Sequence, residues 1–159
     1  MTAACALALG AGPAGAADQA TPKALAPGEM ETALVAEMNR VRGVRGRPPL
    51  RVATTLRRAA RGQSRYLVKA GVLDHDSADG SPFWTRFLAA GFPRDRHMAE
   101  NLAQLYGCDA GSARRTVTMW MASPGHRANL LSPRYRWVGA GSASVSGCAS
   151  TVLTVDFGS

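Results

Sequence analysis

From Glu29 onward the apolar residues Met30, Leu34, Met38 and Val41 return at steps of four, four and three, with Glu31, Glu37 and Arg40 between them. That spacing predicts a helix with one apolar face. Glu29 and Glu31 favour its positive end, and Gly43, Gly46 and Pro48-Pro49 stop it, leading over a loop to Leu50. A second helix is predicted from about Thr55 to Ala70, with Leu56, Ala59, Ala60, Gln63, Leu67 and Val68 facing inward and Gly71 as its C-terminal cap. The small Ala59 and Ala60 would let it lie close against a sheet. After the polar turn Leu73 to Gly80 comes a short helix, Pro82 to Ala90, capped by Ser81 and stopped by Gly91 and Pro93. Another helix starts at Ser112, carries Val117, Trp120 and Met121, and ends near Ser123-Pro124-Gly125, where a new helix brings in His126.

The period then changes. Tyr135 to Val145 and Ser150 to Phe157 are rich in β-branched and aromatic residues and flank Ser146-Gly147-Cys148, the pattern of an antiparallel hairpin. A third strand is expected near Leu102 to Tyr106. Helices early and strands late predict an α+β fold in which helices cover a small, mainly antiparallel sheet.

A chain of 159 residues fits one domain able to bury a core. The net charge of +8 is mostly arginine, Lys23 and Lys69 being the only lysines. The arginines are scattered rather than interleaved with aromatic residues, which argues against nucleic acid as a partner. Arg40, Arg42, Arg45, Arg47 and Arg51 span a helix end and loop, and Arg57, Arg58, Arg61 and Arg65 recur at helical spacing; they are read as solvated surface.

Residues 1–17 carry no charge and close on Ala14-Gly15-Ala16-Ala17, which reads as a signal peptide whose basic start is missing. Residues 18–28, with Pro22 and Pro27, are then a poorly ordered linker, and residues 29–158 the domain. No other stretch approaches the roughly 20 apolar residues of a membrane span, so a secreted, extracellular protein is expected. Apolar residues follow Cys5, against a lipid anchor there. Cys108 and Cys148 remain in the exported chain. In an oxidising compartment they are expected to form a disulfide, the alternative being two buried thiols. Closing a loop of about 40 residues would stabilise the fold by roughly 3 to 4 kcal/mol.

Three residues carry candidate chemistry: His75 in Leu73-Asp-His-Asp76, Glu100 in Ala99-Glu-Asn-Leu102, and His126 in Trp120-Met-Ala-Ser-Pro-Gly-His-Arg-Ala-Asn-Leu-Leu131. They are expected to meet. Imidazole nitrogen and carboxylate oxygen suit zinc, and three protein ligands with open positions are the pattern of a catalytic zinc. No His-Glu-x-x-His helix holds them rigidly, which points to weak affinity. In the alternative, Glu100 accepts hydrogen bonds from both histidines and ties three loops together. There is no Gly-x-Ser-x-Gly elbow and no phosphate-binding glycine loop. Ser123, three residues before His126, reads as a cap or turn residue rather than a nucleophile.

Asn39-Arg-Val-Arg42, Leu73-Asp-His75, Asp79-Gly-Ser-Pro-Phe83, Arg86, Ala90-Gly91, Glu100-Asn101, the Trp120 to Leu131 run, Val138-Gly139 and Asp156-Phe157-Gly158 occur in the order and spacing of the CAP superfamily. This group comprises cysteine-rich secretory proteins, antigen 5 and pathogenesis-related class 1 proteins, and its domain is also called the SCP domain. The chain most resembles the compact bacterial branch, over roughly Glu29 to Gly158. The resemblance implies a three-layer α-β-α sandwich with an exposed cleft where two histidines, here His75 and His126, and a glutamate, here Glu100, converge and in several members hold a divalent cation. Asn101 and Asn129 are expected to satisfy backbone groups in the loops shaping that cleft. Ser123 would turn the chain beside it, and Arg127 would pair with an acid there or face solvent. Between His75 and His97 there is no second glutamate, only Asp76, Asp79 and Asp95. Ala99 replaces the usual glycine, and Leu153 and Val155 stand where bacterial relatives often carry Trp and Gln. His97 is read as an exposed loop residue, Trp120 and Trp137 as core.

Two functions follow as expectations. The first is a secreted binding or interaction module whose cleft holds a divalent cation, zinc favoured, or a small ligand, and whose surface meets an extracellular or cell-envelope partner. The alternative is a metal-dependent extracellular hydrolase, peptidase-like, using the same cleft. A sterol or other lipid is a third ligand class, as in some relatives.

Overall fold

The computed structural model describes residues 23–159; the signal-peptide reading of residues 1–17 and the first part of the linker, residues 18–22, lie outside them. Helix α1, Pro27–Val44, begins two residues before the expected domain boundary, with Pro27 in its first turn. Ahead of it Leu25 N–H donates to the Cys108 carbonyl at 2.8 Å, so the end of the linker is part of the folded unit. The remaining elements are β1 Arg51–Val52, α2 Thr54–Ala70, α3 Trp84–Ala89, β2 Met98–Leu105, α4 Ala110–Ala122, α5 Pro124–Leu131, β3 Trp137–Ser144, a short 3-10 turn at Ser146–Cys148, and β4 Thr151–Gly158. Among the described residues no helix is long and apolar enough to cross a membrane.

The sheet has the order β1-β3-β4-β2. Its three long strands are antiparallel, but β1 pairs in parallel with the start of β3, so the sheet is mixed. Two residues between a proline pair and a helix are too few to show a period, and β1 is therefore invisible in the pattern. Strand β2 starts at Met98 rather than near Leu102. Its polar Glu100 and Asn101 look like loop, yet both are buried.

Alternation along the strands separates two faces. Leu153, Val155 and Phe157 join Val138, Ala140, Ala99 and Ala103 in the main core, with Met30, Leu34 and Met38 of α1 and Val117 and Trp120 of α4. Each large side chain buried there contributes roughly 1.5–3 kcal/mol. The intervening positions face α2: Val152 and Leu102 pack with Leu67, and Thr154 meets Ser64, whose hydroxyl is 2.9 Å from the Thr154 hydroxyl. Gly139 and Gly141 share this second face, and α2 lies directly on them. A Cβ at Gly141 would sit 2.3 Å from the Ala60 carbonyl carbon. The result is the α-β-α sandwich: α2 and α3 on one side, α1, α4 and α5 on the other.

Two charged side chains depart from the solvated reading. Arg42 is fully buried and has no carboxylate partner among the described residues. Its guanidinium donates to the carbonyls of Pro48 at 2.9 Å, Leu130 at 2.7 Å, Ser132 at 3.1 Å and Tyr135 at 3.4 Å. The Leu130 and Ser132 carbonyls belong to the negative end of α5, so a buried cation anchors the helix that carries His126. Burial lowers its pKa from the usual guanidinium value. Arg61 reaches the buried Glu31 of α1, with Nε at 2.8 Å and Nη2 at 2.6 Å. Helical spacing places such residues on a face without saying whether another element covers it.

Cys108 and Cys148 form the expected disulfide, with Cα atoms 5.6 Å apart, tying the end of β2 to the β3–β4 connection. Trp120 is core and its indole N–H donates to the Leu102 carbonyl at 3.0 Å. Trp137 is not core. It is 38% exposed because it opens β3 opposite the two-residue edge strand. Ser81 does not cap α3; its hydroxyl donates to Asp79 at 2.6 Å instead.

Candidate functional site

Strand β2 lies at one edge of the sheet, and its two motif residues point to opposite faces. Glu100 faces α2 and α3, while Asn101 faces α5. The site is built around this edge.

On the Glu100 side, the loop after α2 is held from below. Gln63, almost fully buried in α2, donates from Nε2 to the carbonyls of Asp74 and Asp76, each at 3.0 Å, one residue either side of His75. His75 then places Nδ1 2.8 Å from Glu100 Oε1. A carboxylate only accepts, so Nδ1 carries the proton. Arg86 of α3 donates to the other Glu100 oxygen, and its Nη1 group also reaches the His75 carbonyl at 2.9 Å and the Ser77 hydroxyl at 3.0 Å. The Glu100 side chain is fully buried whereas that of His75 is 51% exposed. A buried carboxylate thus orients an imidazole whose Nε2 is left for solvent or ligand. The bond to Glu100 raises the His75 pKa, against the opposing effect of burial.

Beneath Glu100, directly across the β2–β4 ladder, lies Asp156. It is fully buried and neither carboxylate oxygen has a donor to face. Burial first, then the charge of Glu100 and a hydrogen bond to it, push the Asp156 carboxyl well above the ordinary carboxylate range. The neutral acid carries a donor that the ionised form lacks, and the neighbouring Glu100 carboxylate is an acceptor for it.

On the other face, Ser123 ends α4 and opens α5, and its hydroxyl lies 2.8 Å from His126 Nδ1. The His126 ring stacks over Trp120, with centroids 6.3 Å apart and planes 25° apart. Asn101 donates to the His126 carbonyl at 3.1 Å, and Asn129 donates to the Asn101 side-chain oxygen at 2.9 Å. These bonds lock α5 against the β2 edge. Burial lowers the His126 pKa, and the neighbouring charge of His75 lowers it further. The two rings therefore sense each other across the strand edge.

Glu100 bonds directly to His75 and to Arg86. Its side chain makes no bond to His126, which takes Ser123 instead. Among the described residues no three histidine, cysteine or acidic side chains converge as a cluster able to hold a metal ion. Arg127 has an exposed side chain with no acid partner among the described residues, and His97 lies in a loop. The sequence alone gives no site role to Arg86, Gln63 or Asp156. The family resemblance marks Arg86 and Asp156, and the period marks Gln63 as inward, but no pattern along the chain states what each touches.

An α-β-α domain with one histidine from a loop and one from a short helix set beside the edge of its sheet belongs to a defined class, and similarity to known proteins assigns it. The chain is a member of the cysteine-rich secretory protein family, CAP, whose model matches residues 35–157. It is 31% identical over 112 residues to the uncharacterized protein YkwD of Bacillus subtilis (strain 168), a match covering 70% of this chain and 41% of that protein. An outer surface protein of Borrelia burgdorferi shares the fold at a TM-score of 0.72 and 19% identity, over 87% of this chain and 98% of that one. An extracellular SCP-domain protein of Bacillus anthracis str. Ames gives a TM-score of 0.69 at 23% identity, over 82% of this chain and 40% of that one.

Proposed function

We propose that this protein acts outside the cell as a binding module, and that His75 and His126 together form the ligand-holding part of its cleft. An extracellular setting is supported by the descriptions of two fold relatives, an outer surface protein and an extracellular protein. The observation that carries the reading is the fixing of both imidazoles through Nδ1, by Glu100 and by Ser123, each at 2.8 Å. Both rings then offer Nε2, and a carboxylate behind a histidine is the usual support of a metal-ligating imidazole. His75 and His126 would hold a divalent cation, for which neutral imidazole nitrogen favours zinc. The donor set fits such an ion as two nitrogens completed by water or by a ligand of the partner, with Glu100 acting through His75.

Binding is favoured over hydrolysis by the state of Glu100. Its two oxygens are already engaged by His75 and Arg86, and its side chain is fully buried, so it is not placed to take a proton from an attacking water. Two protein ligands also fall short of the three of catalytic zinc sites.

Calorimetric titration of the metal-stripped protein with zinc at pH 7.5 tests this. One ion per chain is expected, lost in both His75→Ala and His126→Ala. A flat titration of the parent protein removes the cation. Zinc-restored peptide cleavage that disappears in both variants would instead establish the hydrolase.

A further inference from the structure

A pocket of about 420 Å³ opens between α3 and the start of β2, outside the histidine pair. Its walls include Phe83, Trp84, Leu88 and Met98, and Arg94 and Arg96 stand around it. The volume lies in the range of small-ligand sites. The chemistry is one-sided: no acidic residue lines the pocket. Arg94 makes no ion pair among the described residues, and Arg96 has only its neighbour Asp95 at 3.7 Å, a residue whose side chain is 83% exposed. Trp84 is 46% exposed, so part of its indole is open to solvent. The loop between is pinned rather than loose. His97 N–H donates to the Ser159 hydroxyl at 3.0 Å, and Ser159 N–H donates back to the His97 carbonyl at 3.1 Å.

We propose that this pocket binds an anionic aromatic group, a carboxylate held by Arg94 and Arg96 with its ring against Trp84, as at the C-terminus of a peptide ending in an aromatic residue. Guanidinium groups match a carboxylate in shape and charge, and an exposed indole offers an apolar face to a ring. The pocket adjoins the histidine cleft, because Phe83 lines it and also stands edge-on to His75, ring centroids 6.5 Å apart. A peptide end seated here would run past His75. The site stands apart from cation binding, so a failed zinc titration leaves it untouched.

Trp137 serves as an internal control, since it too borders a pocket with two arginines, Arg51 and Arg136, but among Pro48 and Pro49 rather than beside the cleft. The experiment is an amide and indole NMR titration with N-acetyl-L-phenylalaninate, matched against the neutral N-acetyl-L-phenylalanine amide. Saturable shifts are expected at the Trp84 indole and the Met98 amide, with the carboxylate bound at least ten-fold more tightly than the amide. The surface double variant Arg94→Gln, Arg96→Gln should lose that preference with an unchanged melting temperature, while Arg51→Gln, Arg136→Gln should keep it. Absence of saturable shifts at Trp84, equal affinity for the two probes, or the same response at Trp137 would overturn the proposal.

Discussion

Replacing Gly141 by alanine puts one methyl group where the backbone of α2 already lies. The new Cβ would fall 2.3 Å from the Ala60 carbonyl carbon and 2.4 Å from the Arg61 nitrogen. Carbon atoms in contact sit about 3.5–4.0 Å apart, so α2 must retreat by more than about 1 Å. The neighbour is helix backbone rather than a flexible side-chain end, which places the cost at roughly 3 kcal/mol, the upper end of ordinary overpacking. For a domain of this size that is a fall in melting temperature of about 10 °C. The displacement also reaches the site, because α2 carries Gln63, which holds the carbonyls on either side of His75. The assay is thermal unfolding followed by circular dichroism, paired with NMR of the His75 ring. Gly62→Ala is the matched control: it lies within α2 with open space around its Cβ, and should stabilise by up to about 1 kcal/mol. A Gly141→Ala protein melting within about 2 °C of the parent would show that helix and strand are not in this close approach.

The two histidines should titrate on opposite sides of about 6.5, His75 above and His126 below. Ring proton shifts followed from pH 5 to 8 check this, and a reversed order would contradict the assigned contacts. Their effects on stability oppose each other: the His75 contribution is present below its unfolded pKa and lost as pH rises through the folded one, whereas the His126 penalty appears as pH falls below the unfolded value. Asp156→Asn should be stabilising at pH 7, because burial and the Glu100 charge raise the folded-state pKa of Asp156 well above its unfolded value, so the acid costs the fold stability as pH rises above that unfolded value. That advantage should grow as pH rises from 4 to 8 in urea unfolding, and a loss of stability at pH 7 would refute the raised pKa of Asp156. Replacing both Cys108 and Cys148 by serine should cost about 4 kcal/mol for a bond spanning 40 residues. Melting with and without the bond measures it, and little change would mean the cross-link restrains the unfolded chain less than its span implies.

Periodicity in the sequence determined α1, α2, the β3–β4 hairpin and the α+β class, because an apolar stripe or an alternating strand encodes its own geometry within a few residues. The Cys108–Cys148 pair was legible as an expectation, because these are the two cysteines of the domain and an exported chain would oxidise them. Which side chains Glu100 would meet was not legible. Its position on an edge strand turns it toward Arg86 and Asp156 and turns Asn101 toward α5, and that depends on the order β1-β3-β4-β2, which no local pattern carries. The same holds for Arg42 and Glu31, charged residues on helices whose burial was decided by what packed over them. Local spacing fixes which way a residue faces along its own element, while the packing of distant elements decides whether that face meets water, a carbonyl or another charge.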